Sequence, residues 1–297
     1  MHNLNIYRDG SLPALQQDFR PPSLKVLRCS YWEITAWSHT NLSSPYWRLY
    51  WNREPGAFVA WRDERYALLP DRLILISPNT PFTSSLENAA ADQHESNILV
   101  GRPYHPGNKK RPSGMVHHFF THFTLGQPHD SVRSFILTID LGGDLLEIVE
   151  RITQALGEDR HQLDYRNSLS LQTLILYALT RLPEDTWPER LLDHRLLNVL
   201  AYLDEHLGDP LRNEDLGRVA GMSPNGLTRL FRLKTGRTPL AYLNQRRIEE
   251  ASILLHHTDH SIEQIAEECG FSDRHYFTRV FRKQLGVGPA TFRRHRA

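Results

Sequence analysis

The segment from Leu211 to Phe292 repeats itself. Leu227, Leu230 and Phe231 recur at one constant spacing as Phe277, Val280 and Phe281, and Gly236, Pro239 and Tyr242 recur as Gly286, Pro289 and Phe292. Each copy holds a short apolar-periodic stretch with a glycine near its end, then a capping residue, then a basic amphipathic stretch. That order marks a helix-turn-helix unit. A single such pattern arises readily from Gly, Ser and apolar spacing. Two in register, with outward arginines at matching places, do not.

In the first unit Ser223 is a good N-cap and Pro224 stands at the first helical position, where its missing N–H is no loss. Asn225, Thr228, Arg229 and Arg232 then point away from the apolar face. In the second unit Asp273 or Ser272 caps the helix, and Arg274, His275, Thr278, Arg279, Arg282 and Lys283 are left outward. Recognition helices place their N-terminal half in the major groove. Arg there pairs with guanine O6 and N7, Thr and Asn reach several base edges, and basic residues further along meet phosphate. Residues 274–297 contain no Asp or Glu, which makes a local basic surface. Between the units, Pro239 to about His256 reads as one helix of about 17 residues, roughly 25 Å long. A rigid spacer of that length suits two readers near one groove repeat apart, about 34 Å. The implied partner is double-stranded DNA.

Composition bounds the rest. The 297 residues suffice for two cored domains, and 40% hydrophobic and 23% charged residues fit an ordinary globular chain. A net charge of +1 carries no global nucleic-acid signal, but a basic face needs only one side of one domain. No apolar run is long enough to cross a bilayer, and no export signal opens the chain, so a cytoplasmic location without membrane partners is the default. Cys29 and Cys269 suggest no disulfide framework.

The fold class expected is two-domain α+β. Residues 1–24 read as an N-terminal arm. Residues 25–141 read as short strands with Pro/Gly turns, an antiparallel barrel: 26–36, 47–51, 57–61, 65–69, 72–76, 97–100, 116–125 and 132–141. A loop with the Lys109–Arg111 cluster interrupts them. Residues 142–190 read as a helical connector, with one helix over Leu145 to Leu156 and a second capped by Ser168. These helices either cover an apolar sheet face or provide a dimer contact. Residues 191–297 form the all-α domain, opening with a helix from Leu191 to Leu207.

At these residues the chain resembles the AraC/XylS family of bacterial transcription regulators. The second unit carries the more specific pattern: Ile265, Ala266, Cys269, Gly270, Phe271, Ser272, Tyr276, Phe277, Arg279, Val280, Phe281, Gly286, Pro289, Phe292 and Arg293. The first matches through Leu216, Ala220, Met222, Ser223, Leu227, Arg229, Leu230, Phe231, Gly236, Pro239, Tyr242 and Arg246. The stretches Leu75 to Phe82 and His118 to Phe123 resemble the family's cupin-like effector domain. The resemblance implies a homodimer that binds DNA, acts as an activator through promoter occupancy or RNA polymerase contact, and answers to a small effector, with sugars the leading class. The chain departs from the family at Asn225-Gly226, where a larger side chain is usual. Glycine there weakens the helix by about 1 kcal/mol relative to Ala, so the second helix is the stronger reader.

Two features of the barrel bear on an effector. Alternation sends Trp47, Leu49 and Trp51 to one face of a strand and Arg48, Tyr50 and Asn52 to the other. Arg48, Tyr50, Trp51, Trp61, His118 and His122 are the candidate effector residues: aromatic platforms with polar groups for hydroxyls. The same rings also suit a plain barrel core. His118 and His122 share a strand face and His117 takes the other, but a third metal ligand has no candidate beyond His94 or His105. No cofactor, metal or catalytic residue is expected. A cupin-type metal enzyme fused to a DNA-binding domain, or a regulator without ligand, are the alternatives.

Overall fold

The computed structural model describes residues 22–87, 98–108, 112–126, 128–158, 163–187 and 193–294. The expected arm up to residue 21, His94, Asn97, the Lys109–Arg111 cluster, Leu191, Leu192 and the last three residues lie outside them.

Among the described residues, nine antiparallel strands form the N-terminal barrel: β1 (Lys25–Leu42), β2 (Trp47–Asn52), β3 (Ala57–Trp61), β4 (Glu64–Leu68), β5 (Arg72–Ile76), β6 (Phe82–Leu86), β7 (Ile98–Pro103), β8 (Val116–Thr124) and β9 (Ile136–Asp140). The sheet order is β4-β3-β6-β1-β8-β2-β5-β9, with β7 paired to β1. β1 runs further than the expected 26–36. Its second half pairs with β6 and β7, so Ser38 and His39, beyond the expected strand end, are buried. The sequence reading missed β6, because Thr83, Ser84 and Ser85 carry no apolar alternation. Ser84 and Ser85 are nonetheless buried between β1 and β3. The last strand begins at Ile136, four residues later than the apolar run suggests.

Both faces of the sheet are apolar. The inner face gathers Ile34, Trp37, Tyr50, Ile74, Phe82 and Phe120. The outer face carries Trp47, Leu49, Trp51, Leu73, Leu75, Phe119 and Phe123. Two helices cover that outer face, α1 (Gly143–Glu158) through Val149 and Ile152, and α2 (Tyr165–Thr180) through Leu171, Leu174, Ile175 and Ala178. Asp164, not Ser168, caps α2, accepting from Asn167 N at 2.7 Å. An Asp carboxylate stabilises the positive end of a helix more than a hydroxyl does, and Ser168 falls in the first turn.

The C-terminal domain is built on α3 (His194–Glu205), α4 (Asn213–Ala220), α5 (Pro224–Thr235), α6 (Pro239–His257), α7 (Ile262–Glu268), α8 (Arg274–Leu285) and α9 (Pro289–Arg294). Asp193 caps α3 through Arg195 N. The last short helix was not anticipated from the sequence. α6 is the shared beam. Its N-terminal half closes one core with Leu216, Leu227 and Phe231, through Leu243. Its C-terminal half closes another with Ile265, Phe277 and Phe281, through Ile248, Ala251 and Leu255.

Candidate nucleic-acid interface

Each reading helix is fixed at both ends by its own sequence. Ser223 Oγ accepts from Gly226 N at 3.2 Å to start α5, with Pro224 at its first turn. Asp273 Oδ1 accepts from Tyr276 N at 2.8 Å to start α8, and that backbone hydrogen bond holds its carboxyl below the usual range. Gly236 and Gly286 end the two helices at φ 73° and 78°. An L side chain adopts that left-handed conformation only at a cost.

On α5, Leu227 and Phe231 are buried, while Asn225, Arg229 and Arg232 are exposed and Thr228 is half-buried. On α8, Phe277 and Phe281 are buried, while Arg274, His275, Arg279, Arg282 and Lys283 are exposed and Thr278 is half-buried. The six α8 residues Arg274, His275, Thr278, Arg279, Arg282 and Lys283 line one open groove of about 770 Å³. The Arg279 guanidinium lies 5.3 Å from the centre of the Tyr276 ring, which steadies its base. The α8 face carries five potential cations and no acid, a surface suited to phosphate and guanine edges.

One residue that sequence reasoning passed over links the two units. Arg247 on α6 donates to three backbone carbonyls: Leu207 O at 2.8 Å, Asp209 O at 2.6 Å and Gly270 O at 2.9 Å. It ties the loop before α4 to the turn before α8. That turn passes so close that a Cβ on Gly270 would stand 2.7 Å from Gly208 O, and one on Gly208 2.8 Å from Glu268 O. The signal in the sequence was Gly208 and Gly270 themselves, where no side chain larger than hydrogen fits. Beside Arg247, Arg246 is paired with Asp204 at 3.1 Å and with Glu249.

The six candidate effector residues do not form one site. Trp51 lies on the outer face under the helices, its Nε1 donating to Pro70 O at 3.0 Å, so it is separated from the inner lining. Trp61 sits at the margin of the inner core, under the Arg62 guanidinium. Tyr50, His118 and His122 do converge, with Trp37 and Phe120, but on a space of only about 20 Å³. A single water needs roughly 10–15 Å³, so a sugar has no room there; the barrel's own aromatic rings fill it. His118 Nδ1 lies 2.7 Å from Asn52 Oδ1, and burial pushes its imidazole down to about 3. His122 is held well below its ordinary pKa by burial and then by the neighbouring basic side chains of Arg48, His257, Arg28 and His256. His117 takes the opposite strand face, 2.8 Å from Glu54 Oε1. Among the described residues no three His, Cys, Asp or Glu side chains converge as a metal centre would need, and no helix is long and apolar enough to cross a membrane.

Arg48 stands beside Tyr50 and His122, across from His122 in the β2–β8 pairing and on the same strand face as Tyr50. Its Nη2 donates to Ser44 Oγ at 2.6 Å, and its guanidinium rests over the rings of Tyr46 and Phe82. Tyr46 crosses the domain boundary: its hydroxyl shares a hydrogen bond of 2.9 Å with His256 Nδ1 of α6, and its ring packs against His257. His122 also meets His257, at 5.3 Å between centroids.

Comparison with known proteins sets these features in a family. Residues 216–295 match the family described as "Helix-turn-helix domain". The HTH-type transcriptional activator RhaS of Klebsiella pneumoniae (strain 342) is 33% identical over 145 residues, 48% of this chain and 51% of RhaS. The chain thus spans about half the length of the curated relatives it matches. The solved DNA-binding domain of AdpA, a global transcriptional factor in complex with a target DNA, is 37% identical, covering 34% of this chain and 90% of that one, with a TM-score of 0.33. ToxT of Vibrio cholerae O395 covers 92% of this chain and 98% of its own at 12% identity and a TM-score of 0.50, a likeness of fold alone.

Proposed function

Because the chain belongs to the AraC/XylS family of transcription regulators, we propose that it binds specific double-stranded DNA through α5 and α8 and activates transcription in answer to a small effector, without catalytic turnover. The observation that carries this is the α8 face. Six polar or cationic side chains share one open groove on a helix whose opposite side is locked into a core by Phe277 and Phe281. On this reading Arg274, His275, Thr278 and Arg279 meet base edges, and Arg282 and Lys283 meet phosphate. Asn225, Thr228, Arg229 and Arg232 do the same on α5, with Asn225 weakened as a reader by Gly226 beside it.

Activation, and RNA polymerase as a partner, belong to the proposal. The relative RhaS is named an activator, and this chain matches about half of its length. A homodimer is also proposed. Tyr165, Leu169 and Leu176 of α2 are exposed, and at 3.6 residues per turn they fall within about 40° of one another on the helix. That stripe faces away from the barrel and suits a second copy of the chain.

The test is a titration of upstream DNA by fluorescence anisotropy at several stated salt concentrations. Wild type should show a steep loss of affinity with salt, and Lys283→Ala should lower that slope by about one counterion. Affinity indifferent to both salt and sequence would sink the proposal.

A further inference from the structure

The two reading helices carry the same residue at matching places, Arg229 on α5 and Arg279 on α8. Three residues earlier stand Gly226 on α5 and Tyr276 on α8. Side chains three apart on a helix are neighbours, so Arg279 has a ring beside it and Arg229 has none. The guanidinium of Arg279 lies over the Tyr276 ring, 5.3 Å from its centre. The guanidinium of Arg229 has no ring, hydrogen-bond or ion partner among the described residues.

Tyr276 is itself fixed. Its backbone N–H donates to Asp273 Oδ1 at 2.8 Å, the cap that starts α8. Its ring packs on Phe271 in the turn before the helix, 6.0 Å between centroids. Phe271 is buried against Phe277, at 5.1 Å. Yet Tyr276 remains 37% exposed, so filling the core does not account for its ring. The first unit has no room for such a ring. A Cβ on Gly226 would stand 3.0 Å from Ser223 Oγ, the oxygen that caps α5. An arginine on a bare surface samples many rotamers, and freezing them on binding costs affinity. A guanidinium already resting on a ring has lost part of that freedom. The edge of its planar fork stays open to guanine O6 and N7.

We propose that Tyr276 is a positioning residue for DNA reading. It pre-organises Arg279, so the segment under α8 is read strictly, while the segment under α5 tolerates more sequences. Tyr276 is not among the side chains that line the α8 groove; it acts through Arg279 and not by touching a base. The inference rests on the DNA-binding reading above and adds the residue that makes the two readers unequal.

The test is a double-mutant cycle on the full chain, read by anisotropy titration at one stated salt concentration. The probes are a duplex of the footprinted upstream segment and duplexes with each base pair under α8 changed in turn. Two ringless variants, Tyr276→Leu and Tyr276→Met, are compared with wild type, Tyr276→Phe and Arg279→Ala, and each ringless change is also combined with Arg279→Ala. Leu and Met keep an apolar contact for Phe271 and are better helix formers than Tyr; circular dichroism melts check that each variant folds. The ringless variants should bind about two- to fivefold more weakly, the range of an exposed cation–π contact. They should also lose less affinity than wild type when the base pair read by Arg279 is changed. Tyr276→Phe, which keeps the ring, should bind like wild type. With Arg279 already Ala, removing the ring should have no further effect. Three results would each overturn the proposal: ringless variants that bind and discriminate like wild type, Tyr276→Phe falling as far as they do, or a loss as large without Arg279 as with it. All three leave α8 standing as a DNA reader. Arg279→Ala binding like wild type would overturn that reading too.

Discussion

Arg247 shows how much one side chain can hold. Truncating it to Ala leaves the carbonyls of Leu207, Asp209 and Gly270 without their donor. Buried acceptors left unpaired destabilise by about 1–3 kcal/mol each, with partial relief from water. Arg247→Ala should therefore lower stability by about 2–4 kcal/mol, and Arg247→Lys should recover only part, because an ammonium is a point donor and not a fork. Denaturant melts of the three proteins check this; equal midpoints would mean the clamp holds nothing. The buried histidines make a second prediction. His118 is neutral when folded, with its pKa pushed by burial to about 3, and ordinary when unfolded. Its contribution is complete above about pH 6.5 and is lost as pH falls toward 3, by about 2 kcal/mol at pH 5. His122 acts in the same direction. Asp130 opposes them: burial raises its carboxyl to about 7, against donors from Leu125 N, Trp47 Nε1 and Gly126 N. Its contribution is complete in acid and is lost as pH rises through 7. The difference between wild type and His118→Gln isolates the histidine. The wild-type midpoint should fall more between pH 7 and pH 5 than the variant's, by about 4 °C; parallel slopes would contradict the assignment.

Among the elements, α6 has 19 residues and so runs roughly 28 Å. It serves two cores at once, Leu243 in one and Ile248, Ala251 and Leu255 in the other. The repeat in the sequence exposed this arrangement because Phe231 and Phe281, with their caps, are local signals that need no knowledge of distant contacts. The barrel was legible as a barrel for the same reason: Trp47-Arg48-Leu49-Tyr50-Trp51 alternates, and alternation survives in both buried faces. What alternation could not give was which face lay inside. Trp51 was grouped with Tyr50 as an effector candidate although alternation already put the two on opposite faces, and Trp51 lies on the helix-covered one. Nor could it give β6, whose burial comes from strand neighbours and not from apolar side chains. The junction of Tyr46, Arg48 and His256 joins residues some 200 positions apart, which no local pattern reveals. At this scale the α2 stripe also makes its prediction. Wild type should sediment as a dimer at micromolar concentration, and Leu169→Glu with Leu176→Glu should sediment as a monomer with unchanged helicity. A monomeric wild type, or a double variant that stays dimeric, would remove α2 as the interface.

The whole molecule joins two helix-turn-helix units, a spacer helix and a barrel in contact with that spacer. Lys25 of β1 approaches Glu250 at 4.0 Å, and Tyr46 meets His256 and His257, so the barrel touches α6. A change at that contact would alter DNA occupancy only by favouring one arrangement of the domains over another. The claim most exposed to test is that one chain reads two successive major-groove segments. Footprinting of upstream DNA at a stated salt concentration, with wild type, Arg229→Ala and Arg279→Ala, decides it. Wild type should protect two segments about one helical turn apart per subunit. Arg279→Ala should weaken binding by about 1–3 kcal/mol and relax sequence preference in one segment, and Arg229→Ala should do so in the other. Protection of a single segment, or a footprint unchanged by both substitutions, would contradict it.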